Sequence, residues 1–214
     1  MRRVYKGIIF DLDGVLCHTD HFHYQAWKKL ADRLGIPFDE TVNNRLRGVS
    51  RMESLEIILE KSARDYSQQE KLDFAEEKNE EYKKLLQQMK PSDIPEEVRD
   101  TLTLLKKNFL LAVGSSSKNT KLILEKTDLG KYFDAVADGN DITNSKPDPE
   151  VFLVAAKRIH LAPADCLVVE DAKAGIDAAV AGGFGCAGIG DAAGYDKADW
   201  PLQSFGDLKE LVTY

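Results

Sequence analysis

The stretch KGIIFDLDGVL, residues 6–16, is an apolar run that ends abruptly in two aspartates one residue apart. GIIF (7–10) is short, rich in Ile and apolar without alternation, the pattern of a strand covered on both faces in a parallel sheet. Residues two apart on a strand share a side. Asp11 and Asp13 therefore leave the strand together, at or just past its C-terminal end. In open α/β sheets that edge is where ligands bind.

Four later runs are of the same kind: FLLAVGSS (109–116), FDAVADG (133–139), CLVVED (166–171) and GCAGIG (185–190). Helical patterns separate them. PEEVRDTLTLLKKN (95–108) places Pro95 in a first turn, and KNTKLILEKTDLG (118–130) ends on a glycine stop. DPEVFLVAAKRIH (148–160) offers Asp148 as N-cap and Pro149 as the first helical residue, and AKAGIDAAVAGG (172–183) again closes on glycine. Alternating strand and helix predicts an α/β fold, a Rossmann-like doubly wound parallel sheet.

Residues 17–90 contain no convincing strand. YQAWKKLADRLG (24–35) spaces Tyr24, Trp27, Leu30, Ala31 and Leu34 as one helix face. Ser50 with Glu53, and Ser67 with Glu70, form two capping-box signatures. The helix after Ser67 is expected to bury Leu72, Ala75, Tyr82, Leu85 and Met89. The predicted organisation is a catalytic core of 1–16 and 92–214, interrupted by a helical cap of 17–91, with MKPSDIP (89–95) as the return linker.

A net charge of −7 and a pI near 5.2 argue against sequence-independent nucleic-acid binding, which needs a basic surface. Cys17, Cys166 and Cys186 are odd in number and widely spaced, which fits a reducing compartment better than a disulfide framework. The apolar run near the start is too short for a secretory signal, and nothing later could span a bilayer. The expected location is the cytoplasm, with no membrane partner.

If the strands are parallel, several side chains meet Asp11 and Asp13 at one rim. The 110–114 strand delivers Ser115 and Ser116, and the 166–169 strand delivers Glu170 and Asp171. The loop after 133–139 carries Lys146 in KPDP. Four carboxylates so placed must protonate or hold a cation. Oxygen-only ligands select a hard ion, Mg²⁺ above all. With a lysine and hydroxyls nearby this is a phosphate-binding constellation, in which one carboxylate can accept a phosphoryl group and a second can exchange protons. Taken singly, the D-x-D pair reads as a helix-capping loop, Ser115 as a cap and Glu170–Asp171 as a turn. Their joint occurrence at successive strand ends carries the reading.

DLDGVL (11–16), SSSKN (115–119), KPDPEVF (146–152) and VVEDAKAGIDAAVAGG (168–183) resemble, in order, the four motifs of the haloacid dehalogenase superfamily. The resemblance implies a helical cap inserted after the first motif. It implies Asp11 as nucleophile, Asp13 as general acid/base, and Ser115 and Lys146 as phosphate ligands. Mg²⁺ would be held by Asp11, the Asp13 carbonyl, Glu170 and Asp171. An aspartate at position 13 points to a phosphatase or phosphomutase, because the dehalogenases lack it and the P-type ATPases have threonine there.

Within the superfamily the cap is similar to that of the β-phosphoglucomutase family. HFHYQAWKKLADRLGI (21–36) resembles the segment carrying that family's His and Trp, here His23 and Trp27. LRGVSRMESL (46–55) resembles its specificity loop, with Gly48, Val49, Ser50 and Arg51 matching. EEKNEEY (76–82) resembles the segment whose Lys and Asn reach the sugar, here Lys78 and Asn79, and SSSKN adds Ser116 and Asn119. Three positions depart from the pattern: Arg47 for the usual Lys, His18 for the usual Asp, and Ser116 for the usual Ala. The implied activity interconverts β-glucose 1-phosphate and glucose 6-phosphate through an aspartyl-phosphate and β-glucose 1,6-bisphosphate. A closing cap would exclude water, and Arg51 with Arg47 would clamp the distal phosphate. The implied partners are a phosphosugar and a bisphosphate activator, with the chain a monomer. The competing readings are a sugar-phosphate phosphatase and a non-catalytic binding protein on the same fold. In HTDHFH (18–23), His18 and His21 are expected to be solvated or hinge residues and His23 functional; Trp27 also fits a cap-core role.

Overall fold

The apolar tetrapeptide that opens the chain forms the centre of the sheet. The structure, a computed structural model, describes residues 4–46 and 49–212. Among these, six strands make one parallel sheet: β1 (Gly7–Phe10), β2 (Leu110–Gly114), β3 (Ala135–Ala137), β4 (Cys166–Glu170), β5 (Gly185–Gly188) and β6 (Trp200–Pro201). Their order is β3-β2-β1-β4-β5-β6. β1 is fully buried because it is flanked on both sides: Phe10 is level with Val113 of β2 and with Val169 of β4. The chain winds outward from β1 through β2 and β3, then restarts at β4 on the other side. The crevice between β1 and β4 is thus the topological switch point.

Both faces of the sheet are covered. Ile9, Ala112 and Val168 pack with Phe152, Val151 and Ile176, brought by α7 (Glu150–Arg158) and α8 (Lys173–Ala181). On the other face Phe10 meets Phe205 at 5.7 Å and Phe133 at 6.1 Å between ring centroids. The 3-10 segment Phe205–Val212 packs there with α5 (Glu96–Leu105).

The chain divides into two compact units, Met1–His18 with Met89–Tyr214, and Thr19–Gln88. The second unit is helical: α1 (Asp20–Leu34), α2 (Glu40–Asn44), α3 (Arg51–Leu59) and α4 (Gln68–Leu86). Its core joins Trp27, Leu30, Phe38, Leu55, Ile58 and Phe74. Both capping boxes form, at Ser50–Glu53 and at Ser67–Glu70. Among the described residues no helix is long and apolar enough to cross a membrane.

Several expectations are corrected. The buried face of α4 runs Phe74, Lys78, Tyr82 and Leu86 at i, i+4 spacing, with Ala75 and Asn79 alongside. Leu72 is 47% exposed and Leu85 only partly buried, because the true face accommodates a lysine and an asparagine that a hydropathy stripe passes over. α6 (Thr120–Lys126) ends before Gly130, and Asp128 takes the left-handed conformation (φ 55°) beyond it. α7 starts one residue later than expected, with Pro149 in the N-cap position and Asp148 Oδ1 accepting from the Glu150 N–H at 2.9 Å. Pro95 likewise precedes α5 as its N-cap residue. The linker holds a 3-10 turn, Pro91–Asp93, whose Asp93 carboxylate accepts from the Lys90 N–H at 3.0 Å. Elements without a sequence forecast include α2, five residues capped by Asp39, the 3-10 segment Phe205–Val212, and β6, two residues at the sheet edge where Pro201 is tolerated.

Candidate active site

The ladder between β1 and β4 runs one residue past the strand: the Asp11 N–H donates to the Val169 carbonyl at 3.0 Å. The backbone then turns tightly, with Gly14 N–H donating to Cys17 O at 2.8 Å and Leu16 N–H to Leu12 O at 2.9 Å. Gly14 has φ +80°, and a Cβ there would lie 1.9 Å from Asp171 Oδ2. The position thus demands glycine both for conformation and for the close approach of a carboxylate. At the end of β4, Glu170 Oε2 accepts from the Ala172 N–H at 2.8 Å. Gly175 makes room for the same side chain, since a Cβ there would lie 2.0 Å from Glu170 Cδ.

Lys146 joins the two strand ends. Its Nζ donates to Asp11 Oδ1 and to Glu170 Oε1, each at 2.5 Å, and lies 4.6 Å from the centroid of the Phe152 ring. Asp11, Glu170 and Asp171 each offer an oxygen within 4.8 Å of the others. Burial pushes the Asp11 carboxyl up to about 7 against the pull of Lys146, with the Glu170 and Asp13 charges adding to the rise. Burial, Glu170 and Asp11 raise Asp171 to about 8. Burial works against the Lys146 ammonium, yet Asp11 and Glu170 hold it well above the ordinary lysine range. This is the electrostatics of a cation site: buried oxygen donors, mutually repelling, that one ammonium does not fully neutralise. The donor set, all oxygen, fits a hard divalent ion.

Ser115 and Ser116 follow β2 on the same edge. The buried Ser115 accepts from the Ser117 N–H at 3.2 Å, while its own N–H donates to Ala137 O at 3.1 Å. The Ser116 hydroxyl is buried with no hydrogen-bond partner among the described residues, as expected of a group that meets a ligand oxygen. Asn119 is buried, with its N–H on Ser117 Oγ at 3.2 Å. Asp13 is partly buried and bridges to Cys17 through the backbone.

The helical unit gathers a second cluster. Lys78 Nζ lies 2.8 Å from His23 Nδ1, and 4.8 and 4.6 Å from the ring centroids of Trp27 and Tyr82. Arg51 donates to Asn79 Oδ1 at 2.9 Å and faces Glu76 at 3.8 Å. Burial lowers its pKa below the usual guanidinium value. Trp27 is both core and cluster, buried among the helical apolar residues beneath the Lys78 ammonium. Ser50 is taken up by the α3 cap and Val49 is exposed. Arg47 and Gly48 lie outside the described residues. His18 and His21 are exposed. Among the described residues the one group with metal-ligand spacing is the carboxylate trio. Tyr82, which the sequence pattern assigned only to the helix core, belongs to this cluster. The signal was its i+4 spacing from Lys78.

The haloacid dehalogenase-like hydrolase family matches residues 5–183. The chain is 38% identical to a β-phosphoglucomutase of Bacillus subtilis (strain 168), over 95% of this chain and 91% of that protein. It is 34% identical to a phosphorylated carbohydrates phosphatase of Thermotoga maritima, over 84% of this chain and 82% of the relative. The crystal structure of a β-phosphoglucomutase from Clostridium difficile superposes with a TM-score of 0.89 at 38% identity, covering 98% and 96% of the two chains. Fold, carboxylate site and relatives together define an enzyme of phosphoryl transfer on a Rossmann-like core. The chain belongs to the haloacid dehalogenase-like hydrolase family, and within it is β-phosphoglucomutase-like.

Proposed function

We propose that this enzyme is a β-phosphoglucomutase, interconverting β-glucose 1-phosphate and glucose 6-phosphate through an aspartyl-phosphate on Asp11 and a β-glucose 1,6-bisphosphate intermediate. The observation that carries the reading is the buried Asp11 carboxylate held by Lys146 beside Glu170 and Asp171. Asp11, the Asp13 carbonyl, Glu170 and Asp171 would hold Mg²⁺, which when bound offsets the charge of the transferring phosphoryl group. Asp11 in its ionised form attacks phosphorus, and Lys146 remains an ammonium throughout. The Ser115 and Ser116 hydroxyls and Asn119 donate to phosphoryl oxygens. Asp13, two residues from the nucleophile, gives a proton to the leaving oxygen and takes one from the attacking hydroxyl.

Support for a mutase over a simple hydrolase comes from the helical unit. A bisphosphate has two dianionic ends, and Arg51 supplies a partly buried guanidinium suited to the second. His23 and Lys78 supply polar contacts for the sugar. The likeness to a phosphorylated carbohydrates phosphatase favours one alternative, a sugar-phosphate phosphatase on the same scaffold. For the mutase the substrate is a phosphosugar and its bisphosphate the activator, with the chain working as a monomer in the cytoplasm. Burial of all three cysteines suits that reducing setting.

One assay separates the readings: β-glucose 1-phosphate, Mg²⁺ and a trace of the 1,6-bisphosphate, with glucose 6-phosphate and free phosphate measured in parallel. Glucose 6-phosphate in excess is the expected result. Stoichiometric free phosphate without isomerised sugar would establish the phosphatase instead.

A further inference from the structure

In the helical unit, two residues of α1 and two of α4 lock together. His23 and Trp27 are one turn apart on α1, and Lys78 and Tyr82 one turn apart on α4. The His23 imidazole stacks on Tyr82 at 4.0 Å between centroids and 29° between planes. The Tyr82 hydroxyl shares a hydrogen bond of 2.8 Å with Thr19 Oγ1, and only 1% of Tyr82 is exposed. Lys78, 3% exposed, lies over both the Trp27 and the Tyr82 rings, an arrangement that favours its charged form, and reaches His23 Nδ1 at 2.8 Å.

An ammonium has three donors and no acceptor. The Lys78–His23 contact is therefore possible only if Nδ1 carries a lone pair, and a neutral imidazole with an unprotonated Nδ1 has its proton on Nε2. Burial holds the His23 pKa well below the ordinary histidine value, and the Lys78 and Arg51 cations lower it further.

We propose that Lys78 and Tyr82 are positioning residues that fix His23 as the neutral, Nε2-protonated tautomer, so that His23 serves substrate as a hydrogen-bond donor to an oxygen and not as a proton acceptor. The tautomer follows from the contact together with the ammonium form of Lys78. Its use toward a phosphosugar rests on the function proposed above. Tyr82 acts through the imidazole plane: its ring supports one face of His23, and the Thr19 bond fixes the rotation of that ring.

The test has two arms. The full chain, labelled with ¹⁵N-histidine, has four histidines, and the His23 signals are assigned by their loss in His23→Gln. Long-range ¹H–¹⁵N correlation at pH 7.5 is expected to show His23 with the Nε2–H coupling pattern. An imidazolium pattern, or protonation at Nδ1, would overturn the proposal. Lys78→Met is expected to give a mixture of tautomers, and Tyr82→Leu to broaden or shift the His23 signals more than Tyr82→Phe, which keeps the stacked ring and loses only the Thr19 bond. An unchanged spectrum in both Lys78→Met and Tyr82→Leu would remove their positioning role.

The second arm is kinetic. A Gln amide nitrogen reproduces the Nε2 position of histidine, and an Asn amide nitrogen reproduces Nδ1. His23→Gln should therefore retain at least about tenfold more kcat/KM than His23→Asn, the worth of one well-placed hydrogen bond. Equal losses in the two variants would overturn the donor role. If the enzyme proves to be a phosphatase, the same comparison is made with its sugar-phosphate hydrolysis, so failure of the mutase reading and failure of this inference remain distinguishable.

Discussion

Gly14 shows how closely a single position can be constrained at the rim. A methyl there would meet the Asp171 carboxylate, and φ +80° is itself unfavourable for alanine. Gly14→Ala should cost about 1–2 kcal/mol of stability from the backbone alone. Displacing Asp171 should also reduce Mg²⁺-dependent turnover by more than tenfold. Urea denaturation and steady-state kinetics in parallel check both, and an active, fully stable variant would contradict the packing described. In the proposed mechanism Asp11→Ala removes the phosphoryl acceptor and should abolish turnover; near-normal phosphosugar conversion in that variant would exclude a covalent path through Asp11. At this scale the sequence was informative about residue type and blind to partnership. The D-x-D pair, Lys146 and Glu170–Asp171 could be picked out because each follows an apolar run. That Lys146 bridges Asp11 and Glu170, across sequence separations of 135 and 24 residues, could not, since long-range pairing leaves no local pattern. Tyr82 was read as core for the same reason: stacking on a histidine and packing in a core call for the same side chain.

Elements were legible where local chemistry alone decides them. The two capping boxes are set by residues three apart, and both form. Ser67→Ala should therefore lower stability by about 1 kcal/mol, the usual worth of an N-cap, without altering KM; a change in KM at unchanged stability would contradict the assignment. Elements decided by tertiary context were not legible. β6 exists because β5 offers it an edge, and the true face of α4 is defined by what packs against Lys78 and Asn79 rather than by hydropathy. The tie between β3 and α7 is of this kind. Arg158 donates two hydrogen bonds of 2.7 Å to the Asp141 carboxylate, which also accepts from the Asp138 N–H at 2.9 Å. These bonds, led by Arg158, draw the Asp141 pKa down from 3.8 to about 2. A depressed carboxylate stabilises the fold above its unfolded pKa and loses that contribution as pH falls through the folded value. Asp141→Asn should thus cost about 1 kcal/mol at pH 7, after allowance for solvent screening of a partly exposed pair. The difference from wild type should fade between about pH 4 and pH 2. Chemical denaturation at pH 7, 4 and 2.5 measures it, and a difference independent of pH would exclude the electrostatic account.

For the whole molecule, alternation of strand and helix was sufficient to predict a parallel sheet, and with it a common rim for every strand end. The electrostatics of that rim carry the last prediction. Carboxylates raised by burial, and further by mutual repulsion, are relieved when a divalent ion binds. Chelation with EDTA should abolish turnover and Mg²⁺ should restore it. The melting temperature should also rise with added Mg²⁺, since a ligand that binds only the folded state at a hundred times its Kd adds about 2.7 kcal/mol. An unaltered melting temperature at millimolar Mg²⁺, with activity insensitive to EDTA, would rule out the metal site.

The strand order has a consequence for how the chain is made. β1 leaves the ribosome well before its two hydrogen-bonding neighbours, which begin at Leu110 and Cys166. At roughly 5–20 residues per second, the nearer neighbour emerges about 5–20 seconds later. The nascent Ile8-Ile9-Phe10 segment must stay unpaired for that interval, by which time the helical unit is complete in sequence at Gln88. The stretch that ends as the most sheltered part of the sheet therefore begins as its most adhesive one. Chaperone dependence during synthesis should accordingly map to β1.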